Sequence, residues 1–270
     1  AILLNTDTVA IRDVLCLGTH QQKSAEETSR TTHLVFPYRG VYVRHLGSDE
    51  AVAEANQVLF FNAAEDYRVS HPVKGGDASL SIWIDEHLLR ELSPKHHQRE
   101  GGGLKFRPHR LRIDPRAQAL VALLRHSLTR KVAETLEAET LTFTLVRRAL
   151  GDLTSHAARS SFGRQKLVDR AKLVLASDLG RRWTLADIAA AVGVSPVYLT
   201  QAFAQVEAVP LYRYQLRLRL ARALDLLSQY DNLTTLSLEL GFSSHSHFSA
   251  AFRQAYGRTP AEFQRSVRLR

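Results

Sequence analysis

Ile188-Ala-Ala-Ala-Val-Gly193-Val-Ser195-Pro-Val-Tyr-Leu199-Thr-Gln-Ala-Phe203 and Leu236-Ser-Leu-Glu-Leu-Gly241-Phe-Ser-Ser244-His-Ser-His-Phe248-Ser-Ala-Ala-Phe252 are two versions of one pattern. Each runs from a short apolar helix pattern through a glycine and a serine to a second helix pattern ending in Phe. Glycine permits a tight turn and serine caps the helix after it, which is the grammar of a helix-turn-helix. The two glycines are 48 residues apart and the closing phenylalanines 49. Such patterns in register, joined by one long helix pattern, predict a paired unit.

Outward from this pair, every segment beyond residue 166 reads as helix. The spacing predicts helices over Lys166–Leu179, Thr184–Val192, Ser195–Gln205, Pro210–Gln229, Thr234–Leu240, Ser244–Tyr256 and Pro260–Val267. Thr184 and Asp187 have the spacing of a capping box. Leu216, Leu220, Leu224 and Leu227 form the apolar stripe of the long helix, and Leu199, Phe203, Phe248 and Phe252 are core anchors. The formal net charge is +9. Residues 164–270 hold 15 Lys+Arg against 8 Asp+Glu and residues 1–163 hold 21 against 19, so the excess base lies with the repeat. A basic domain is the electrostatic footprint of a polyanion, most often nucleic acid.

The N-terminal half reads as β-rich. Val9–Leu17, His33–His45 around a Pro and a Gly, Val58–Phe61, Tyr67–Ser70, Leu80–Ile84 and Leu104–Ile113 are the expected strands, and residues 21–30 read as a polar loop. Short strands separated by turn clusters predict a sandwich or small barrel. Asp85 is placed to cap a short helix, and the Asp114-Pro115 pair opens a longer one. Helical stripes at 116–131 and 137–156 serve either as a homodimer surface or as packing onto the β-domain. The expected division is a regulatory and dimerisation domain at 1–157 (β-rich 1–113, helical pair 114–157), a linker at 158–165 and a helical domain at 166–270. The fold class is therefore α+β with two domains. Apolar residues make up 44% and charged residues 23% of the chain, no stretch is long and apolar enough to span a membrane, and the start lacks a signal-peptide pattern. With one cysteine, no disulfide forms within the chain, which points to a reducing, cytoplasmic setting. The chain holds no methionine, so residues before Ala1 are expected.

The helical domain resembles the C-terminal DNA-binding domain of AraC/XylS-type transcription regulators. The resemblance is carried by Gly241-Phe-Ser-Ser-His-Ser-His-Phe-Ser-Ala-Ala-Phe-Arg253 with Tyr256-Gly-Arg-Thr-Pro260, and by Leu185-Ala-Asp-Ile-Ala-Ala and Arg217-Leu-Arg-Leu-Ala-Arg-Ala-Leu224. It covers about 100 residues. It implies two recognition helices in successive major grooves of double-stranded DNA, roughly 34 Å apart. The N-terminal half, with Tyr67-Arg-Val-Ser-His-Pro72 and Gly75-Gly-Asp77, is similar to the cupin-like sensor half of such regulators.

On that pattern the base-reading residues are Val197, Thr200 and Gln201 in the first recognition helix, and His245, Ser246, Ser249 and Ala250 in the second. The expected phosphate contacts are Ser195, Arg217, Ser243, Ser244, Arg253 and Thr259, and Arg213 and Arg222 are also placed to face phosphates. Gln201, Ala250 and Ala208 depart from the family pattern, which usually has Arg, a nearby Arg or Lys, and Gly. Glutamine reads adenine, and Val or Ala meets a thymine methyl, so the first helix is expected over A·T-rich sequence. Expected effector contacts are Arg39, Tyr42, Arg44, Phe60, Tyr67, Arg68 and His71, of which strand alternation lets about half point inward.

Twelve histidines raise the question of a metal. Cys16, His20, His33, His45 and His71 would have to converge inside the β-domain, and no strand carries an H-x-H pair there. His245 and His247 do not share a helix face, one being expected exposed and the other partly packed, and His96-His97 is expected to be solvated. Neither a metal nor a cofactor is expected. G-x-S-x-G, G-x-x-x-x-G-K and paired-cysteine motifs are absent, so a β-barrel enzyme fused to a DNA anchor ranks below a regulator. An architectural DNA protein would not need a pocket-forming half. A regulator controlled by protein contact alone, with RNA polymerase among its partners, stays open beside effector control.

Overall fold

Alternation along the N-terminal strands gives every strand two unlike faces, and two antiparallel sheets follow from it. In the computed structural model, which describes residues 1–18, 21–151 and 162–268, the chain divides into two units, Ala1–Ser155 and His156–Arg270. The strands are β1 (Ile2–Asn5), β2 (Val9–Cys16), β3 (Glu27–Thr28), β4 (His33–Arg39), β5 (Tyr42–Leu46), β6 (Asp49–Ala53), β7 (Gln57–Phe61), β8 (Asp66–Ser70), β9 (Asp77–Ile84) and β10 (Arg110–Arg112). One sheet has the order β1-β2-β9-β4-β7-β10 and the other β3-β8-β5-β6. Three helices follow in this unit: α1 (Glu86–Leu92), α2 (Pro115–Thr129) and α3 (Thr135–Leu150).

On the larger sheet, Val9, Ile11, Leu34, Phe36, Val58, Phe60, Leu80 and Ile82 share one face and pack with Val121, Leu124, Leu145 and Val146 of α2 and α3. The opposite face turns Val35, Leu59 and Phe61 toward Tyr42, Ala53, Tyr67 and Val69 of the smaller sheet. The stripes of the helical pair are thus packed with the sheet, and the exposed large apolar side chains of this segment among the described residues are Val132, between α2 and α3, and Leu136, in the first turn of α3. Asp114 caps α2 by accepting from the Ala117 amide at 2.8 Å, and its carboxylate also takes the Arg148 guanidinium of α3.

Several elements differ from the sequence reading. β1, β3 and β6 were not expected, because none shows a clean alternation. The strand expected over Leu104–Ile113 shrinks to three residues. His97 is buried rather than solvated, although His96 is exposed. Of the expected linker, residues 158–161 lie outside the described residues, and from 162 onward the chain is already helical.

The second unit is helical: α4 (Phe162–Ser177), α5 (Leu185–Val192), α6 (Pro196–Glu207), α7 (Leu211–Leu226), α8 (Leu233–Glu239), α9 (His245–Tyr256) and α10 (Pro260–Arg268). Its first core joins Val168 and Leu175 of α4, Ile188 of α5, Leu199 and Phe203 of α6, and Tyr214 and Leu218 of α7. In the second, Phe242, Phe248, Phe252, Tyr256 and Phe263 form a run of ring contacts with centroids 4.6–5.9 Å apart. Lys172 of α4 is 1% exposed and its Nζ lies 2.5 Å from Glu207 Oε1, so the buried ammonium is paired. Among the described residues no single helix is long and apolar enough to cross a membrane.

Candidate functional site

The two helix-turn-helix units are built by the same local devices. In the first, Thr184 and Asp187 close a capping box at the start of α5. Gly193 takes a left-handed conformation (φ 76°) at its end, and α5 and α6 then cross at 88°. Ser195 caps α6 by accepting from the Tyr198 amide at 3.2 Å. In the second, Gly241 is left-handed (φ 78°), and Ser244 caps α9 by accepting from the His247 amide at 3.1 Å.

What fastens one unit to the other is Arg219 of α7, which sequence reasoning missed. Its guanidinium donates to the carbonyls of Leu179 (2.8 Å), Arg181 (2.8 Å) and Gly241 (3.0 Å). A Cβ at Gly241 would stand 2.3 Å from the Gly180 oxygen and 2.7 Å from Arg219 Nη2, so glycine is required there for close approach as well as for φ. The spacing of arginines along α7 gave no sign of this, because backbone carbonyls have no sequence signature. Arg222, expected to face phosphate, is instead engaged by the buried Asp225 carboxylate.

The expected base-reading residues lie on outward faces. Val197 is 67% exposed, Gln201, His245, Ser246 and Ala250 are exposed, and Ser249 is half-buried. The Thr200 hydroxyl donates to the Pro196 carbonyl at 3.0 Å, so its proton is committed within the helix. His245 Nε2 lies 3.4 Å from the Ser249 hydroxyl. His247 is exposed, yet its ring meets Phe242 edge-on and its Nδ1 lies 3.0 Å from the Ser243 hydroxyl.

Of the expected phosphate contacts, Ser195 and Ser244 accept their cap bonds and keep a hydroxyl proton to donate, and Arg253 and Arg213 are exposed. Arg217 is half-buried near the Tyr256 phenol, whose titration burial pushes up while Arg217 draws it back. The Thr259 amide donates to Glu262 Oε2 at 2.7 Å, and its hydroxyl accepts from the Glu262 amide and, like those of Ser195 and Ser244, keeps a proton to donate.

In the first unit a cavity of about 770 Å³ lies between the sheets, lined by β2, β4, β8 and β9 among others. Tyr42, Tyr67 and His71 line it as expected. The other four expected contacts do not. Arg44 is 1% exposed and donates to the Phe60 (2.5 Å) and His109 (3.2 Å) carbonyls. Phe60 has the opposite strand parity and stacks on Phe106 at 4.3 Å in the helix-facing core. Arg39 does not reach the cavity, and Arg68 lines a smaller one beside His45 and pairs with Glu26. Sequence reasoning missed Arg12, Ser79, Ser81 and Trp83, and weighed His33, which also lines the cavity, only for a metal. His33 stacks between Phe61 (5.1 Å) and Trp83 (4.5 Å), and burial holds its pKa below the ordinary 6.5 despite the Thr31 carbonyl. Arg12 lies 5.1 Å from the centre of Trp83.

Two of the residues weighed for a metal do converge here. Cys16 Sγ is 3.6 Å from His71 Nε2, and His71 Nδ1 is 2.5 Å from Asp77 Oδ2. Asp77 stands opposite Cys16 in the β2–β9 ladder. A Cβ on Gly76 would fall 2.4 Å from the Cys16 carbonyl oxygen, so glycine lets this loop lie against β2. His45 bonds elsewhere, to Glu50 and Ser70, and His20 lies outside the described residues.

A family described as a helix-turn-helix domain matches residues 188–266. The HTH-type transcriptional regulator GadX of Escherichia coli O127:H6 (strain E2348/69 / EPEC) is 26% identical over 237 residues, 87% of this chain and 83% of GadX. The HTH-type transcriptional activator CfaD of Escherichia coli is 33% identical over 96 residues, 35% of this chain and 36% of CfaD. A solved transcriptional regulator with an AraC-type DNA-binding domain, from Chromobacterium violaceum, is 32% identical. It covers 40% of this chain and 96% of its own, with a TM-score of 0.38.

Proposed function

Because the chain belongs to the AraC/XylS-type DNA-binding transcription regulators, we propose that α6 and α9 read successive major grooves of one target sequence and that a small molecule in the inter-sheet cavity controls this. The observation that carries the DNA reading is the pair of capped helix-turn-helix units clamped by Arg219, with Val197, Gln201, His245, Ser246 and Ala250 turned outward. Arg253, Ser195, Ser243 and Ser244 are the phosphate contacts of this reading, and a DNA partner supports a cytoplasmic location. Selection of bound fragments from genomic DNA is expected to return one shared motif; binding indifferent to sequence would overturn it.

Effector control rests on the cavity, whose volume of about 770 Å³ suits a small organic molecule. Tyr42, Tyr67 and His71 are its expected contacts, joined by Arg12 and Trp83. Native mass spectrometry of the full chain purified from cells expressing it is expected to show a retained ligand that changes DNA affinity. If no compound that enters the cavity alters binding, control by protein contact, including RNA polymerase, replaces it. Homodimerisation through 116–156 would use Val132 and Leu136, the exposed large apolar side chains among the described residues of that segment, at 51% and 75% exposure. Sedimentation of Leu136→Glu against the native chain tests it.

A further inference from the structure

Cys16 is the one cysteine of the chain, and it does not stand alone in the cavity wall. The β2–β9 register sets it opposite Asp77 and sets Val14 opposite Ser79. His71 bridges the first pair, with Nδ1 2.5 Å from Asp77 Oδ2 and Nε2 3.6 Å from Cys16 Sγ. The His71 and Asp77 side chains are 12% and 8% exposed. A carboxylate at Nδ1 fixes the proton there and leaves the Nε2 lone pair facing the thiol. That is the arrangement of a base poised to take the thiol proton, with a third group orienting the base.

A bound cation is the rival use for these residues, whose donor atoms lie within 4.8 Å of one another. The two ring nitrogens of His71 face different ways, and each already has its own neighbour. An ion held by Nε2 and Cys16 could not also take the Asp77 oxygen that meets Nδ1 without repositioning it. A relay fits the geometry as it stands.

An independent feature points to a guest. Ser79 is 5% exposed and lines the same cavity two residues along β9 from Asp77. Its hydroxyl meets the Tyr42 phenol in a long or poorly aligned hydrogen bond, and makes none of ordinary geometry among the described residues. A buried hydroxyl with so weak a partner gains free energy by donating to a carbonyl oxygen instead. Around it, Val14, Val35, Phe61, Val69 and Trp83 supply an apolar lining for an organic molecule.

We propose that Cys16 is a site of covalent capture, whose thiol adds to the β-carbon of an α,β-unsaturated carbonyl compound seated in the cavity. The thiol proton passes to His71 Nε2, and Asp77 holds the imidazolium. A sulfur electron pair forms the S–Cβ bond, and the carbon–carbon π pair moves toward the carbonyl, whose oxygen accepts from Ser79. His71 then returns the proton to the α-carbon. The net change is thiol plus alkene to thioether; nothing is oxidised or reduced, and one equivalent reacts per chain. With no second cysteine in the sequence, an oxidised Cys16 has no intrachain partner, and the organic-sized cavity favours a carbon electrophile over a peroxide.

The assignment is independent of DNA binding, since its readout is the thiol and not the duplex. Loss of the thiol in the full chain is followed with trans-2-octenal, and with methyl methanethiosulfonate, which has no carbonyl, from pH 5.5 to 9. The native chain is expected to react at pH 6.5 at least tenfold faster than glutathione, with a single octenal adduct mapped by mass to Cys16. His71→Gln is expected to lose at least tenfold with both reagents and to react no faster than glutathione at any pH in this range. Ser79→Ala is expected to slow octenal severalfold and leave the thiosulfonate rate unchanged. A native rate that tracks glutathione at every pH overturns the proposal, even if the variants fail to fold. So does a folded His71→Gln that reacts as the native chain does, or a thiol consumed by hydrogen peroxide but not by octenal.

Discussion

Ala208 ends α6 in the left-handed region, at φ 48° and ψ 20°, where a Cβ is strained by ~1 kcal/mol. Ala208→Gly is therefore expected to stabilise the helical unit by about 0.5–1 kcal/mol, read as a higher denaturant midpoint at unchanged slope. Gln201 and Arg253 separate two kinds of DNA contact. Arg253→Ala is expected to weaken binding to all sequences alike, whereas Gln201→Ala should relax preference at one position by about 1–3 kcal/mol. Identical effects across sequences would collapse that distinction. His33 carries a pH prediction. Burial lowers its folded-state pKa below 6.5, so the unfolded chain takes the proton first. Stability is then at its reference level above 6.5, falls as pH drops below it, and levels off beneath the folded-state value. His33→Gln is expected to flatten this part of the stability–pH curve in urea titrations.

At the scale of elements, α7 acts through Arg219 as a clamp between two helix-turn-helix units. Three hydrogen bonds from a charged donor, partly shielded from water, make Arg219→Ala cost about 3 kcal/mol of stability. Affinity for a full DNA site is expected to fall at least tenfold, while affinity for a half-site changes little; equal losses on both would contradict a clamp. The helices themselves were legible. The Thr184–Asp187 spacing, the glycines at 193 and 241 and the serines before α6 and α9 all act over one turn, so local sequence contains them. Arg219 was not, because its partners are carbonyls of distant segments. The Thr259–Glu262 capping box, by contrast, acts over one turn like the others.

At the scale of the whole chain, a β-rich half and a helical half were readable from period-2 and helical spacing, but which strand face met which layer was not. Arg44 and Phe60 were placed toward a ligand, and pairing across distant strands put them into the interior instead. The same pairing brought Cys16, His71 and Asp77 together, though 55 residues separate the first two. Parity tells that a strand has two faces; only the sheet order assigns them. The central claim concerns the other half: two recognition helices at fixed separation read one face of DNA. Its most direct test is the affinity of the full chain for its selected duplex, and for that duplex with half a helical turn (about 5 base pairs) inserted between the two contacted segments. The clamped pair predicts at least a tenfold loss, down to the level of unrelated DNA; undiminished binding to the lengthened duplex would contradict it.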